Sequence, residues 1–244
     1  MSRNFELLTQ LECDMGVPSK RVHFSSDIPV AKTVAPRYPS DAHPREILRL
    51  VQSIFLSANG SAPKHVMFCG VDTENGSATV CVSAGRTLAA TSSKQVCLVD
   101  ANVRSPRLPR ILGIGAATPF PRISASLRDQ CEQIQGNLWL AGADLLTDAR
   151  GALLPVDALK QSIARLSAEF DCLLIDAPGA RIIADAAILG QLADATVLVV
   201  EADVTHRLSA RKAKQILDEA GVNLIGTVLH GRSFPIPESI YKRL

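Results

Sequence analysis

No apolar run in this chain approaches the ~18 residues that a membrane-spanning helix requires. A surplus of charge is missing too: 26 Lys and Arg against 24 Asp and Glu leave a formal +2, so charge alone argues neither for nucleic acid nor for an anionic membrane. None of the six cysteines forms a C-x-x-C pair, and no histidine cluster accompanies them, which excludes the common zinc spacings. Cys69, Cys97 and Cys172 instead fall within apolar, strand-like runs, where cysteine packs as a small hydrophobe, so buried thiols are expected. The N-terminal MSRNFELLTQLECDMG interleaves acids and polar residues with its apolar ones, unlike a secretory signal. Internal repeats and low-complexity tracts are also absent. What is present is the composition of a soluble globular protein, 47% hydrophobic and 20% charged. Its 244 residues can bury a sizeable core as one large α/β domain or two small ones. Together these features predict a cytoplasmic protein.

Residues 3–15 place Phe5, Leu8, Leu11 and Met15 near a helical period. From Gly16 to Pro44 the chain turns polar, with Pro18, Pro29, Pro36, Pro39 and Pro44, which reads as an irregular arm. The segment REILRLVQSIFLSA then repeats apolar residues at Ile47, Val51, Ile54 and Ala58, the stripe of an amphipathic helix. Beyond it the apolar runs HVMFCG, QVCLVD, NLWLAG, DCLLID, ATVLVV and NLIGTVL are separated, in several places, by helix-like stretches at 77–92, 156–169, 181–193 and 206–220. Strands apolar on both faces and joined by helices predict an α/β doubly wound domain, its mostly parallel sheet of about six or seven strands covered on both sides. The expected organisation is a helix and proline-rich arm over 1–44, a domain over 45–232 and a tail over 233–244.

In such a sheet ligands sit beyond the carboxyl ends of the strands. Three strand ends carry polar residues. After VMFC comes GVDTENGSAT, Gly70 to Thr79, sitting where a phosphate-binding loop belongs; after CLV comes DANVRSP, with Asp100, Asn102 and Arg104; after LLI comes DAPG, with Asp176. Singly each is a weak signal, because a strand-end aspartate often only caps the next helix. Two acids aimed at one crevice beside a glycine-containing turn suit magnesium and phosphate chemistry, and the ordered trio, with about 30 and then about 75 residues between its members, is far more specific.

With these motifs the chain resembles the bacterial tyrosine autokinases of capsule and exopolysaccharide synthesis, relatives of the MinD and ParA P-loop ATPases. That family reads a helix with E-x-x-R-x-x-R, a strand and P-loop, a run ending D-x-D-x-R and a run ending D-[ST]-P-P. Here the counterparts are Glu46-x-x-Arg49-x-x-Gln52, the loop, Asp100-x-Asn102-x-Arg104 and Asp176-Ala177-Pro178, and the likeness runs from about Arg45 to Arg232. The resemblance implies nucleotide contacts at Gly76, Ser77, Ala78, Thr79, Arg104 and His230, and magnesium at Asp100 and Asp176. It also implies catalysis at Asp100, Asn102 and Asp176, assembly with other copies through Glu46, Arg49 and Gln52, a phosphoacceptor at Tyr241, and a membrane polysaccharide co-polymerase, or its kinase, as partner.

Most departures fall on nucleotide chemistry, while Gln52, in place of the helix's second arginine, removes a charge from the assembly motif. Gly76 keeps the loop's second glycine and Thr79 a hydroxyl, but Ser77 stands where the loop lysine belongs and Ala78 where a hydroxyl would hold magnesium. Asn102 replaces the second acid of D-x-D, and His230 replaces the asparagine that contacts adenine in the family. Asp72 and Glu74 put carboxylates where phosphates would lie, and neither Arg86 nor Lys94 is spaced to supply the missing charge. Each charge-assisted hydrogen bond lost costs roughly 1.5–3 kcal/mol, so two such losses weaken nucleotide binding by about two to four decades. A missing transition-state donor removes about 10²–10³ in rate. Only Tyr38 and Tyr241 are present, where active relatives end in a tyrosine cluster.

The expected protein is therefore tyrosine-autokinase-like and impaired in catalysis, its ATP and magnesium binding weak or absent, cytoplasmic and held at the inner face of the plasma membrane by interaction with a co-polymerase or its kinase, with no nucleic acid. Two alternatives stay open. An active autokinase with a non-standard loop would use Asp100, Arg104 and Asp176. A MinD- or ParA-like positioning ATPase would use the basic groups Arg104, Arg107 and Arg110, and Arg207, Arg211, Lys212 and Lys214.

Overall fold

The apolar runs become strands that are mostly buried, except the last, an edge strand that is largely exposed. β1 (His65–Gly70), β2 (Val96–Asp100), β4 (Leu138–Ala141), β5 (Cys172–Ala177), β6 (Ala195–Glu201) and β7 (Leu224–His230) take up the six runs seen in the sequence, and a short β3 (Glu132–Gln135) precedes β4. The computed structural model describes residues 44–55, 62–72, 76–114, 126–181 and 184–231. The chain divides into two units, Met1–Tyr38 and Pro39–Leu244. The helix expected over 3–15 and the segment 233–244 lie outside the described residues, as do Tyr38, Ala58, Glu74 and Tyr241.

The seven strands form one sheet in the order β3-β4-β2-β5-β1-β6-β7. Every pairing is parallel except β3 with β4. β3 was not legible because E-Q-I-Q is a polar edge segment, with only Ile134 half-buried. The helices are α1 (Pro44–Phe55), α2 (Ser77–Thr91), a five-residue α3 (Leu108–Leu112), α4 (Val156–Glu169), α5 (Asp185–Leu192) and α6 (Arg207–Glu219). α5 starts later than the stretch 181–193 predicts, because Arg181 belongs to the loop after β5. In α1 the stripe Ile47, Val51 and Ile54 is buried as expected, while Glu46, Arg49 and Gln52 lie on the exposed face.

Successive side chains along the buried strands point to opposite faces with period two, which divides the core between the two faces. Val66, Phe68, Val96, Leu98, Cys172 and Leu174 pack on the side of α1 and α2, with Val51 and Leu88. Met67, Cys69, Cys97, Val99, Leu173 and Ile175 pack on the side of α4, α5 and α6, with Leu159, Leu189 and Leu217. The same alternation carries Asp100, two residues beyond Leu98, and Asp176, two beyond Leu174, to the side where α2 begins. Among the described residues no helix is long and apolar enough to cross a membrane.

Candidate nucleotide crevice

β2 and β5 are hydrogen-bonded neighbours, and their register sets Asp100 directly opposite Asp176. Both aspartates are fully buried. β1 runs on the other side of β5, so the loop that leaves β1 faces the same strand ends. That loop closes at Gly76, whose φ of 68° is the left-handed conformation open to glycine. The His230 ring from the end of β7 packs against Gly76, leaving no room there for a β-carbon. On its other flank Gly179 meets the backbone of Asp72, and a β-carbon at 179 would lie 2.5 Å from the Asp72 carbonyl oxygen.

Ser77, in the place of the loop lysine, is turned inward and 1% exposed. Its hydroxyl donates to Asp176 Oδ1 over 2.9 Å. It accepts in turn from Arg107 Nη2 at 3.0 Å, and the same guanidinium nitrogen stands 3.5 Å from Asp176 Oδ2. Arg107 also engages the other acid: its backbone N–H and that of Leu108 each donate to Asp100 Oδ2 over 2.9 Å. Asp100 thereby caps the start of α3, the modest role a strand-end aspartate often fills. One residue, Arg107, holds both strand-end carboxylates.

Burial dominates the titration of this pair. It pushes Asp176 up to about 7, against the opposing pull of Arg107; the like charge of Asp100 raises it further, and the Ser77 hydrogen bond lowers it. Burial likewise lifts Asp100 to about 6, opposed by the backbone N–H groups of Leu108, Arg107 and Asn102 and by the Arg107 charge. Asp100 Oδ1 and Asp176 Oδ2 have no hydrogen-bond partner among the described residues.

The expected site residues are partly assembled. Gly76, Ser77, Asp100, Asp176 and His230 gather at the carboxyl ends of the strands, with Ala78 buried and Thr79 half-buried in the first turn of α2. Asn102 is 5% exposed. Arg104 is not drawn in: it is 67% exposed and stands 3.8 Å from Asp185. Glu46, Arg49 and Gln52 lie on the outward face of α1. Among the described residues no group of three or more His, Cys, Asp and Glu could hold a metal ion.

Two sequence expectations need correction. Arg107 is not part of an exposed basic patch with Arg104 and Arg110, because its side chain is 13% exposed and points at Asp176. Asp72 is not a bare carboxylate in the loop: Arg181 reaches it with Nη2 at 2.8 Å and Nε at 2.9 Å. Neither arginine follows from motif spacing. A hint to Arg107 was available, since two acids of equal strand parity facing a loop without its lysine demand a cation from elsewhere.

The fold and the motif order agree with known proteins. No family model matches the chain. Tyrosine-protein kinase YwqD of Bacillus subtilis is 28% identical over 150 residues, which is 59% of this chain and 62% of the relative. Tyrosine-protein kinase CpsD of Streptococcus pneumoniae is 26% identical over 180 residues, 72% of this chain and 79% of the relative. The chain thus spans a little under two thirds of the first of these relatives. Among solved structures, the kinase domain of Escherichia coli tyrosine kinase ETK superposes with a TM-score of 0.66 at 18% identity, covering 89% of this chain and 85% of that one. MinD in the Aquifex aeolicus MinC:MinD complex has the same fold, with a TM-score of 0.56 at 19% identity over 74% of this chain and 72% of that one. The chain is similar in sequence to the bacterial tyrosine-protein kinases and has the fold of their kinase domains and of MinD.

Proposed function

We propose that this chain is a tyrosine-autokinase-like protein of exopolysaccharide or capsule biosynthesis whose nucleotide site no longer supports phosphoryl transfer, and that it works by binding a membrane polysaccharide co-polymerase or that system's kinase. One observation carries the loss of catalysis. At the position of the loop lysine, the Ser77 hydroxyl is committed inward to Asp176 and Arg107, so it presents no cation to a terminal phosphate. The residues present do not suit Mg·ATP. Asp100 and Asp176 are carboxylates of the kind magnesium prefers, but the Arg107 guanidinium already stands at Asp176 and Ala78 has no side-chain oxygen to offer. A phosphoryl-transfer site works almost wholly by positioning and charge, so missing cations remove most of what the protein supplies.

The partner follows from the resemblance: the outward face of α1, with Glu46, Arg49 and Gln52, is open for assembly. No nucleic acid is expected as a partner, because a positioning cycle on DNA needs a nucleotide switch that this loop does not supply. Calorimetric titration with Mg·ATP and Mg·ADP, paired with a radiolabel-transfer assay, tests the reading. No heat and no label are expected; micromolar binding with label on Tyr241 would overturn it. Pull-down against the cytosolic tails of co-polymerases tests the partner, and failure with all of them counts against that half.

A further inference from the structure

We infer that Arg107 is the resident cation of the crevice, a guanidinium built into the chain that does for Asp100 and Asp176 what a bound divalent ion does in a nucleotide-loaded site. The inference rests on the catalytically impaired reading above and deepens it: the protein holds its strand ends together without a ligand.

Two fully buried carboxylates in register on adjacent strands repel each other and lose their hydration, so an uncompensated pair is strongly unfavourable. Other cations are placed elsewhere. Arg104 is on the surface facing Asp185, Arg181 is turned to Asp72, and Arg110 is exposed. The segment DANVRSPRLPR brings Arg107 back over the strand ends because Asp100 Oδ2 accepts from the backbone N–H groups of both Arg107 and Leu108. That anchoring fixes the backbone of residue 107, and the side chain then reaches Ser77 and Asp176. A serine at position 77 is what makes the arrangement possible. A lysine there would set a second cation against the guanidinium, whereas the hydroxyl accepts from Arg107 and donates to Asp176 at once.

The compensation remains incomplete, since Asp100 Oδ1 and Asp176 Oδ2 keep no hydrogen-bond partner among the described residues. Removing the guanidinium therefore leaves two buried carboxylates open to a hard cation. The chain as it stands should ignore magnesium, and a chain without Arg107 should acquire a need for it, because an ion that binds only the folded state stabilises that state.

Thermal unfolding and calorimetry with Mg2+ alone, on the full chain and on R107Q, R107K and R107Q/D176N, test this. The unsubstituted chain and R107K should show no magnesium-dependent shift. R107Q should unfold several degrees lower and recover part of that loss in millimolar magnesium. R107Q/D176N should be more stable than R107Q and blind to the metal. If R107Q is too unstable to purify, its refolding yield with and without magnesium is the readout, and an unchanged yield overturns the inference. An R107Q chain that is purified but blind to magnesium sinks the inference alone. Micromolar Mg·ATP binding by the unsubstituted chain sinks the functional reading and the inference together.

Discussion

The Arg107 guanidinium donates to the Ser77 hydroxyl over 3.0 Å, joining the loop after β1 to the segment after β2 across the buried carboxylate of Asp176. This contact turns three motif fragments, each ambiguous in sequence, into one closed polar cluster. It also sets what substitutions at the strand ends should do.

Ser77→Ala removes the donor to Asp176 Oδ1 and the acceptor for Arg107. Leaving a buried carboxylate oxygen without that bond costs about 1–3 kcal/mol. Denaturant unfolding should show a lower midpoint with an unchanged slope. A midpoint equal to that of the unsubstituted chain would show that the hydroxyl is not in this network.

Ser77→Lys restores the loop residue of active relatives, yet it should destabilise the chain. The position is 1% exposed and already faces a guanidinium, so an ammonium group there is buried beside a like charge. Calorimetry should still detect no Mg·ATP binding. Micromolar affinity gained by this single change would mean that the crevice is open and only the charge was missing.

The aspartates predict a pH dependence whose sign is unusual for carboxylates. Their folded-state values lie near 6 for Asp100 and 7 for Asp176, above the ordinary 3.8. The folded chain therefore binds more protons than the unfolded chain over that interval. The stability these groups contribute is full below about pH 4 and is lost as pH rises through about 6 to 7. Because the two carboxyls face each other in register, the steps belong to the pair. Stability measured at about pH 5 and about pH 8 should differ less in D100N/D176N than in the unsubstituted chain. An identical difference in both would rule out the aspartates as its source.

Gly179→Ala should displace the loop after β1. The added β-carbon would lie 2.5 Å from backbone atoms of Asp72, which cannot swing aside as a side-chain end can. Overpacking of this kind costs about 1–3 kcal/mol. Thermal unfolding reads the loss, and an unshifted midpoint would mean that the two loops separate freely.

The described cysteines should be inert in the native state. Cys69, Cys81, Cys97, Cys131 and Cys172 are all buried and unpaired by disulfides, and burial pushes the Cys69 thiol up to about 12. Since the thiolate is the reactive form, a thiol reagent should modify these five only on unfolding. Rapid native labelling of any of them would contradict the packing.

The amino-acid sequence alone determined the six apolar strands of the sheet, though not its polar edge strand β3, and the places where chemistry could sit. Continuous apolar runs such as CLLID, buried on both faces, admit only a parallel sheet covered by helices, and the ligand edge of such a sheet follows from its winding. The loss of the loop lysine at Ser77 and of the hydroxyl at Ala78 was equally readable from their spacing to Gly76. Even the shared face of Asp100 and Asp176 was implicit in strand parity. Tertiary structure alone decided which charges meet. Arg107 and Ser77 are 30 residues apart, and Arg181 and Asp72 are 109 apart. Motif periodicity describes neighbours within one element, whereas these partners sit on different loops brought together by the strand order β2-β5-β1. Whether an arginine lies on a solvated surface or compensates a buried acid is decided by the desolvation of its partner, and that exists only once the sheet has closed around it.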